Sequence, residues 1–370
     1  MRILAVDIGT GTQDILLFDS NGPAENSVKM VMPSPTTMAA RRIKRATAAG
    51  QAVVLVGTIQ GGGPCAWAVE DHIRAGLPVF ATPEAALTFD DEIERVEGMG
   101  VKVISDDEAR GTRGEHVELR DFDLGAMRTA LAAFGDDGDF DGIAVGCLDH
   151  GNAPPGVSDR LFRFQHLQRV VEGENDLRGF AYLPQNLPDY LTRAQALVRC
   201  LPQGVPAVFL DTGPAAALGA LQDLIVAAER RALVLNLGNM HALAFHVEGD
   251  RIISLYEHHT GEMATLQIED FSRRLVAGTL AQDEVFGSQG HGVLYAEPSL
   301  SRRYAEQARK LPLVALTGPQ RGRLRGSNLN PYLAAPHGDM MISGCFGMVR
   351  AFAYRYPDAR EEIEKRLKAD

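Results

Sequence analysis

The chain has 370 residues, enough for roughly two domains that each bury a core. It is 45% hydrophobic and 23% charged, a globular balance that excludes global disorder. The formal net charge of −11 argues against a nucleic-acid partner, because phosphate backbones are held by clustered Lys and Arg. Arg321, Arg323 and Arg325 form one local basic group.

Residues 1–6 run straight into Asp7, too short for the apolar core of a secretion signal. No uncharged apolar run approaches the roughly 18 residues that cross a bilayer, so no membrane partner is expected. Cys65, Cys147, Cys200 and Cys345 are widely scattered and read as small, reduced, buried side chains. The expected location is cytoplasmic, and the oligomeric state stays open.

Strand patterns recur with helical stretches between them, which predicts an α/β fold. Residues 3–6 and 15–18 read as two strands, followed by an Asn21-Gly22 turn. A β-branched strand at 52–56 ends in Gly57, and Gly61-Gly62-Gly63-Pro64 then opens a helix through Ala75. Residues 143–145 form a further strand. In the second half, 207–210 is a strand and 215–230 an Ala- and Leu-rich helix. Strands follow at 232–237, 242–247 and 251–256, then an amphipathic helix at 271–280. A strand at 313–316 precedes a terminal helix that starts at 347–354 and continues after Pro357. The domain boundary is placed in the Pro-containing stretch 183–188.

The turn Asp7-Ile8-Gly9-Thr10-Gly11-Thr12-Gln13-Asp14 leads into a strand, not into the helix that a dinucleotide fingerprint requires. A P-loop ending in Gly-Lys-Ser/Thr is absent. What remains is a glycine hairpin, and its chemistry suits a polyphosphate. Glycines with positive φ let backbone N–H groups converge on phosphate oxygens, and Thr10 and Thr12 add hydroxyl donors. Asp7 can hold a hydrated Mg²⁺. The alternative is a tight structural hairpin. A second strand–glycine turn–strand lies at 233–245, after an acidic-threonine turn at Asp211-Thr212 that enters an alanine-rich helix. Near the C-terminus, Thr317-Gly318-Pro319 ends a strand, and Ser343-Gly344-Cys345-Phe346-Gly347 enters the last helix.

This order resembles the actin, heat-shock chaperone and sugar-kinase superfamily of ATPases. The resemblance implies two ribonuclease H-like (actin-like ATPase) domains, residues 1–185 and 186–370, with ATP and Mg²⁺ in the cleft between them. Asp7, Gly9, Thr10, Gly11 and Thr12 match its first phosphate motif. Asn236, Gly238 and Asn239 match the second, while Gly318, Gly344 and Gly347 fall in the adenosine region. Asn236 stands where Asp is usual and brings no charge to Mg²⁺; His241 stands where Thr is common. The implied activity is phosphotransfer to a small polar metabolite. Its alternatives are an ATPase that acts on a protein partner and a nucleotide sensor that does not hydrolyse.

The sequence is also similar to a narrower family labelled pyruvate formate-lyase activating enzymes, through Gly61-Gly62-Gly63-Pro64, residues 146–151, residues 257–261 and Gly338-Asp339-Met340-Met341. That label implies a radical enzyme with an iron–sulfur cluster. Such clusters need closely spaced thiolates, and no two cysteines here are near neighbours, so radical chemistry is not expected.

Three polar groups compete for the second substrate. Asp149-His150, with Asp159-Arg160 shortly after, follows a strand end where α/β proteins place ligands; Asp149 is the expected base for a hydroxyl. In Glu257-His258-His259, Glu257 and His259 share a strand face and can reach the cleft, whereas His258 points away. Ser288-Gln289-Gly290-His291-Gly292 reads as a surface loop or a flexible lid.

Overall fold

The computed structural model describes residues 1–299 and 311–368. The chain opens with β1 (Arg2–Ile8), β2 (Thr12–Asp19) and β3 (Val28–Pro33) as an antiparallel meander. It then builds a separate parallel sheet from β4 (Val53–Gly57), β5 (Val79–Ala81), β6 (Val101–Val103) and β7 (Glu115–Leu119), in the order β6-β5-β4-β7. Returning, β8 (Gly142–Cys147) pairs parallel with β1, and β10 (Ala207–Leu210) pairs parallel with β8. The short β9 (Ala181–Tyr182) closes that edge.

The second half repeats the plan. β11 (Arg231–Leu237), β12 (His241–Glu248), β13 (Arg251–His259) and β14 (Gly292–Tyr295) form an antiparallel meander. β15 (Leu313–Thr317) then pairs parallel with β11, and β16 (Tyr332–Leu333) pairs with β15. Both six-stranded sheets share a plan: an antiparallel meander, of three strands in the first and four in the second, whose first strand is joined on its open side by parallel crossover strands. This is the expected pair of ribonuclease H-like halves. β1, β8 and β11 read as continuous apolar runs because layers cover both of their faces.

Two helices, Thr212–Ala220 and Ser343–Arg355, fill the space between the sheets and give one core shared by both halves. Each Leu or Phe buried there contributes about 1.5–3 kcal/mol relative to exposure. The Thr212–Ala220 helix is buried on every side, so it carries no polar stripe. The helices cross closely because Cβ atoms are missing where they meet: one at Gly219 would overlap the Ser343 carbonyl, and one at Gly347 the Ala215 carbonyl.

Several expectations change here. The helix read at 215–230 breaks into Thr212–Ala220 and Leu224–Ala227. Asp223 causes the break: it caps the second piece through the Ile225 N–H and accepts from Tyr332 Oη and the Ala335 N–H. The helix read at 271–280 spans Thr265–Ala277 and stops at Gly278 in left-handed geometry, φ 70°. The 185/186 division falls between β9 and β10, so the first sheet draws on chain from both sides of it. No helix among the described residues is long and apolar enough to cross a membrane.

Candidate functional site

The two meanders aim their first turns at each other. In both turns a glycine N–H donates to the carbonyl three residues on: Gly9 to Thr12 at 2.9 Å, and Gly238 to His241 at 2.9 Å. The expected positive φ is absent from Gly9, Gly11 and Gly238. Glycine is needed instead for close approach, since a Cβ on Gly9 or Gly238 would sit 3.0 or 2.9 Å from that same carbonyl oxygen. A Cβ on Gly11 would lie 2.6 Å from Asn239 Nδ2, so the turns nearly touch. Gly63, at φ 38°, brings a third glycine turn against the Thr10 methyl.

Beneath the first turn, Asp7 and Asp14 stand directly opposite in the β1–β2 register. One oxygen of each is buried without a hydrogen-bond partner. Burial, then the Asp14 charge, push the Asp7 carboxyl well above its ordinary value. Burial also raises Asp14 to about 7, with Asp339 adding to the effect. Two opposed carboxylates short of partners are costly, and they fit a hydrated Mg²⁺ that would satisfy both.

A cavity of about 440 Å³ opens between the halves. Gly9 and Thr10 line it from the first turn; Asn236, Gly238, Asn239 and His241 line it from the second. Asp149, His150 and Asp159 also line it, together with Arg193. Gly11, Thr12 and Asp7 lie outside that lining. Gly318 packs its backbone against the Leu237 carbonyl and the Asn236 side chain. Gly344 lies against the Asp7 carboxylate, and Gly347 is consumed by the helix crossing. Gly344 and Gly347 therefore act here as close-packing residues.

Both oxygens of Asp149 are taken: Oδ1 accepts from the Gly151 N–H at 2.8 Å and Oδ2 from the Ala194 N–H at 2.9 Å. Burial raises its carboxyl despite these bonds. Arg160 turns away from the cavity and donates to the Gly290 carbonyl at 2.6 Å, with its guanidinium over the Phe286 ring. It fastens the loop before β14. Arg323 in the basic group is likewise spent, on the carbonyls of Thr260 and Met263.

Next to the cavity lies a group of imidazoles. The His241 ring centroid is 5.0 Å from His150, 5.0 Å from His291 and 4.9 Å from His259. His291 is fully buried, contrary to the surface loop expected for it. Its flanking glycines allow this, since a Cβ on Gly290 or Gly292 would strike His258 or Phe164 at 2.5 Å. Glu257, also fully buried, accepts from His241 Nδ1 at 3.1 Å and from Arg163 Nε at 3.1 Å. As expected from strand alternation, His258 turns elsewhere, to Ser288 Oγ. Burial, then His241 and His291, hold His150 well below its ordinary pKa; burial brings His291 to about 3 and His259 to about 4. These three rings are neutral at neutral pH.

Arg163 and Arg193 escaped the sequence reading, and His291 was placed there only in a surface loop or lid, because each gains its meaning from distant partners. Arg193 bonds Asp121 from the inserted parallel sheet and the Leu148 carbonyl after β8. The glycines around His291 were the one local signal.

No curated protein matches the sequence. Solved structures do, at low similarity. The 2-hydroxyisocaproyl-CoA dehydratase activator from Clostridium difficile with bound ADPNP is 10% identical with a TM-score of 0.33, covering 99% of this chain and 98% of that one. The ROK hexokinase from Thermus thermophilus is 15% identical with a TM-score of 0.31, covering 98% and 100%. The ethanolamine utilization protein EutJ from Carboxydothermus hydrogenoformans is 11% identical with a TM-score of 0.32, covering 95% and 89%. The four cysteines are free, and among the described residues the group of His, Cys, Asp and Glu able to share a metal ion contains no cysteine. A family model matches residues 60–323, and the chain thus belongs to the family described as "Putative pyruvate format-lyase activating enzyme (DUF1786)".

Proposed function

We propose that this protein binds ATP with Mg²⁺ between its two glycine turns and transfers the terminal phosphoryl group to a small polar metabolite. The observation that carries this reading is the pair of matched turns facing each other above the partnerless oxygens of Asp7 and Asp14. The N–H groups of Thr10, Gly11 and Asn239 would hold the phosphates, with the Thr10 and Thr12 hydroxyls as further donors, while the Gly9 and Gly238 N–H groups close the turns themselves. Asp7 would hold the hydrated metal ion, which spreads the charge of the transferring group. The metabolite would sit across the cavity against His150, Asp159 and Arg193. Asp149, with both oxygens bonded to backbone, is then a positioning residue that shapes the 149–151 loop.

Asn236 favours a second reading, a nucleotide sensor that does not turn over, because a neutral amide brings no charge to the metal ion. A thermal-shift panel of nucleotides with Mg²⁺, followed by phosphorylation assays over a metabolite panel, tests both. Nucleotide binding with substrate-dependent ATP consumption supports the transferase; binding with no consumption supports the sensor. The absence of any nucleotide shift defeats both.

A further inference from the structure

We infer that His150, His241 and His291 form a site for one divalent transition-metal cation, of the zinc or ferrous type, in the wall of the cleft. The three residues come from separate places: the loop after β8, the start of β12 and the loop before β14. One ligating nitrogen of each lies within 4.8 Å of the others. A tetrahedral zinc site with bonds of about 2.0–2.1 Å sets its nitrogens roughly 3.4 Å apart, so small ring rotations close the remaining gap. An all-imidazole donor set selects borderline transition metals over Mg²⁺ and Ca²⁺, which take oxygen ligands.

The surroundings are those of a metal ligand shell. Glu257 pairs through Oε2 with Arg163, and its Oε1 lies 3.1 Å from His241 Nδ1, placed to accept the proton of that nitrogen. The Nε2 lone pair of His241 is thereby left for a cation, the usual outer-shell arrangement of a carboxylate behind a ligating histidine. His291 is completely buried, and its Nδ1 has no partner. The Nε2 atoms of His291 and His150 face each other at 3.5 Å, and at most one of them can donate to the other. A cation would satisfy lone pairs that the protein leaves unmatched. The His259 ring, 4.6 Å from His291, stands by as a fourth imidazole. Because His150 and His241 also line the cavity, the remaining coordination position faces the cleft, as in a catalytic rather than a closed structural site. The cation would sit apart from the Asp7–Asp14 pair, and the inference does not depend on nucleotide binding.

The test is titration of the chelator-stripped full chain with Co²⁺ alone, without nucleotide, followed by its visible d–d absorption. The expected result is saturation at one equivalent and displacement by Zn²⁺. His150→Gln and His241→Gln should each weaken binding by about 100-fold or more. His258→Gln, which loses the contacts to Ser288 Oγ and the His259 carbonyl, and Asp7→Asn should leave it intact. Loss of Co²⁺ binding in Asp7→Asn, or saturation that survives the double variant H150Q/H241Q, overturns the site. Zinc-edge absorption spectroscopy of the wild type needs no variant: a shell of imidazole nitrogens supports the site, and a shell of oxygens or sulfurs alone overturns it.

Discussion

Arg163 and Glu257 form a completely buried ion pair, Nε to Oε2 at 3.1 Å, that ties the Asp159–Gly173 helix of the first half to β13 of the second. Arg163 also pairs with Asp211 at the mouth of the Thr212–Ala220 helix and donates to the Asp149 carbonyl at 3.3 Å. Burial alone would raise the Glu257 carboxyl, but the Arg163 guanidinium brings it well below its ordinary value. Arg163→Ala would strand two carboxylates in the interior and should cost about 3–5 kcal/mol, read from the urea midpoint. A loss under about 1 kcal/mol, the worth of an exposed pair, would show that water reaches this junction.

The Asp7–Asp14 pair predicts an unusual split. Asp7→Asn replaces a carboxyl that burial and the opposed Asp14 disfavour, one oxygen of which lacks a partner, so the ligand-free protein should melt at the same or a higher temperature. The stabilisation by Mg-ATP, about 2.7 kcal/mol at a hundredfold excess over Kd, should disappear. A variant that loses stability without ligand but keeps the full Mg-ATP shift would contradict the assignment.

Asn236→Asp separates the two functional readings. If the protein is a sensor, restoring the carboxylate should create or raise ATP hydrolysis, measured as phosphate release. A robust wild-type rate, left unchanged by the substitution, would remove the sensor reading.

Two glycines should respond oppositely to alanine. At Gly219 the new methyl meets the backbone of Ser343, which cannot yield, so Gly219→Ala should cost about 1–3 kcal/mol by overpacking. At Gly11 it meets the amide end of Asn239, which can swing aside. Gly11→Ala should keep its stability and bind nucleotide more weakly. Equal unfolding midpoints for the two variants would refute this account of the helix crossing.

His166 contributes to the acid limb of stability together with other buried histidines, and it can be removed without touching the cavity lining. Burial, then the nearby Arg163 charge, lowers its pKa to about 3, and its Nδ1 lies 3.0 Å from Tyr190 Oη. The unfolded chain holds the proton below roughly pH 6.5 while the folded chain does not. Its stabilising contribution is thus present above pH 6.5 and lost as the pH falls toward 3. His166→Phe should flatten the decline of stability over that window. An identical acid limb in wild type and variant would assign the decline to other groups.

Much of the architecture was legible because it rests on local patterns. Apolar runs at 3–6, 143–145 and 232–237 mark buried strands wherever they lie, and glycine turns between strands announce hairpins. Asp7, Gly9 and Asn236 could be singled out for the same reason. The break at Asp223 was hidden, because the groups that bond it, Tyr332 and Ala335, lie more than a hundred residues away. The second backbone donor to Asp149 was hidden as well, because Ala194 lies 45 residues further along the chain.

The alternation of strands and helices, the two glycine hairpins and the neutral Asn236 follow from residue type and spacing within a few positions. That the hairpins face each other, that Gly344 and Gly347 lie at close-packed contacts, and that four histidines meet beside Glu257 follows from the folded chain alone. Those relationships depend on chain segments brought together by burying one shared core. No local pattern encodes which distant partner a side chain will meet there.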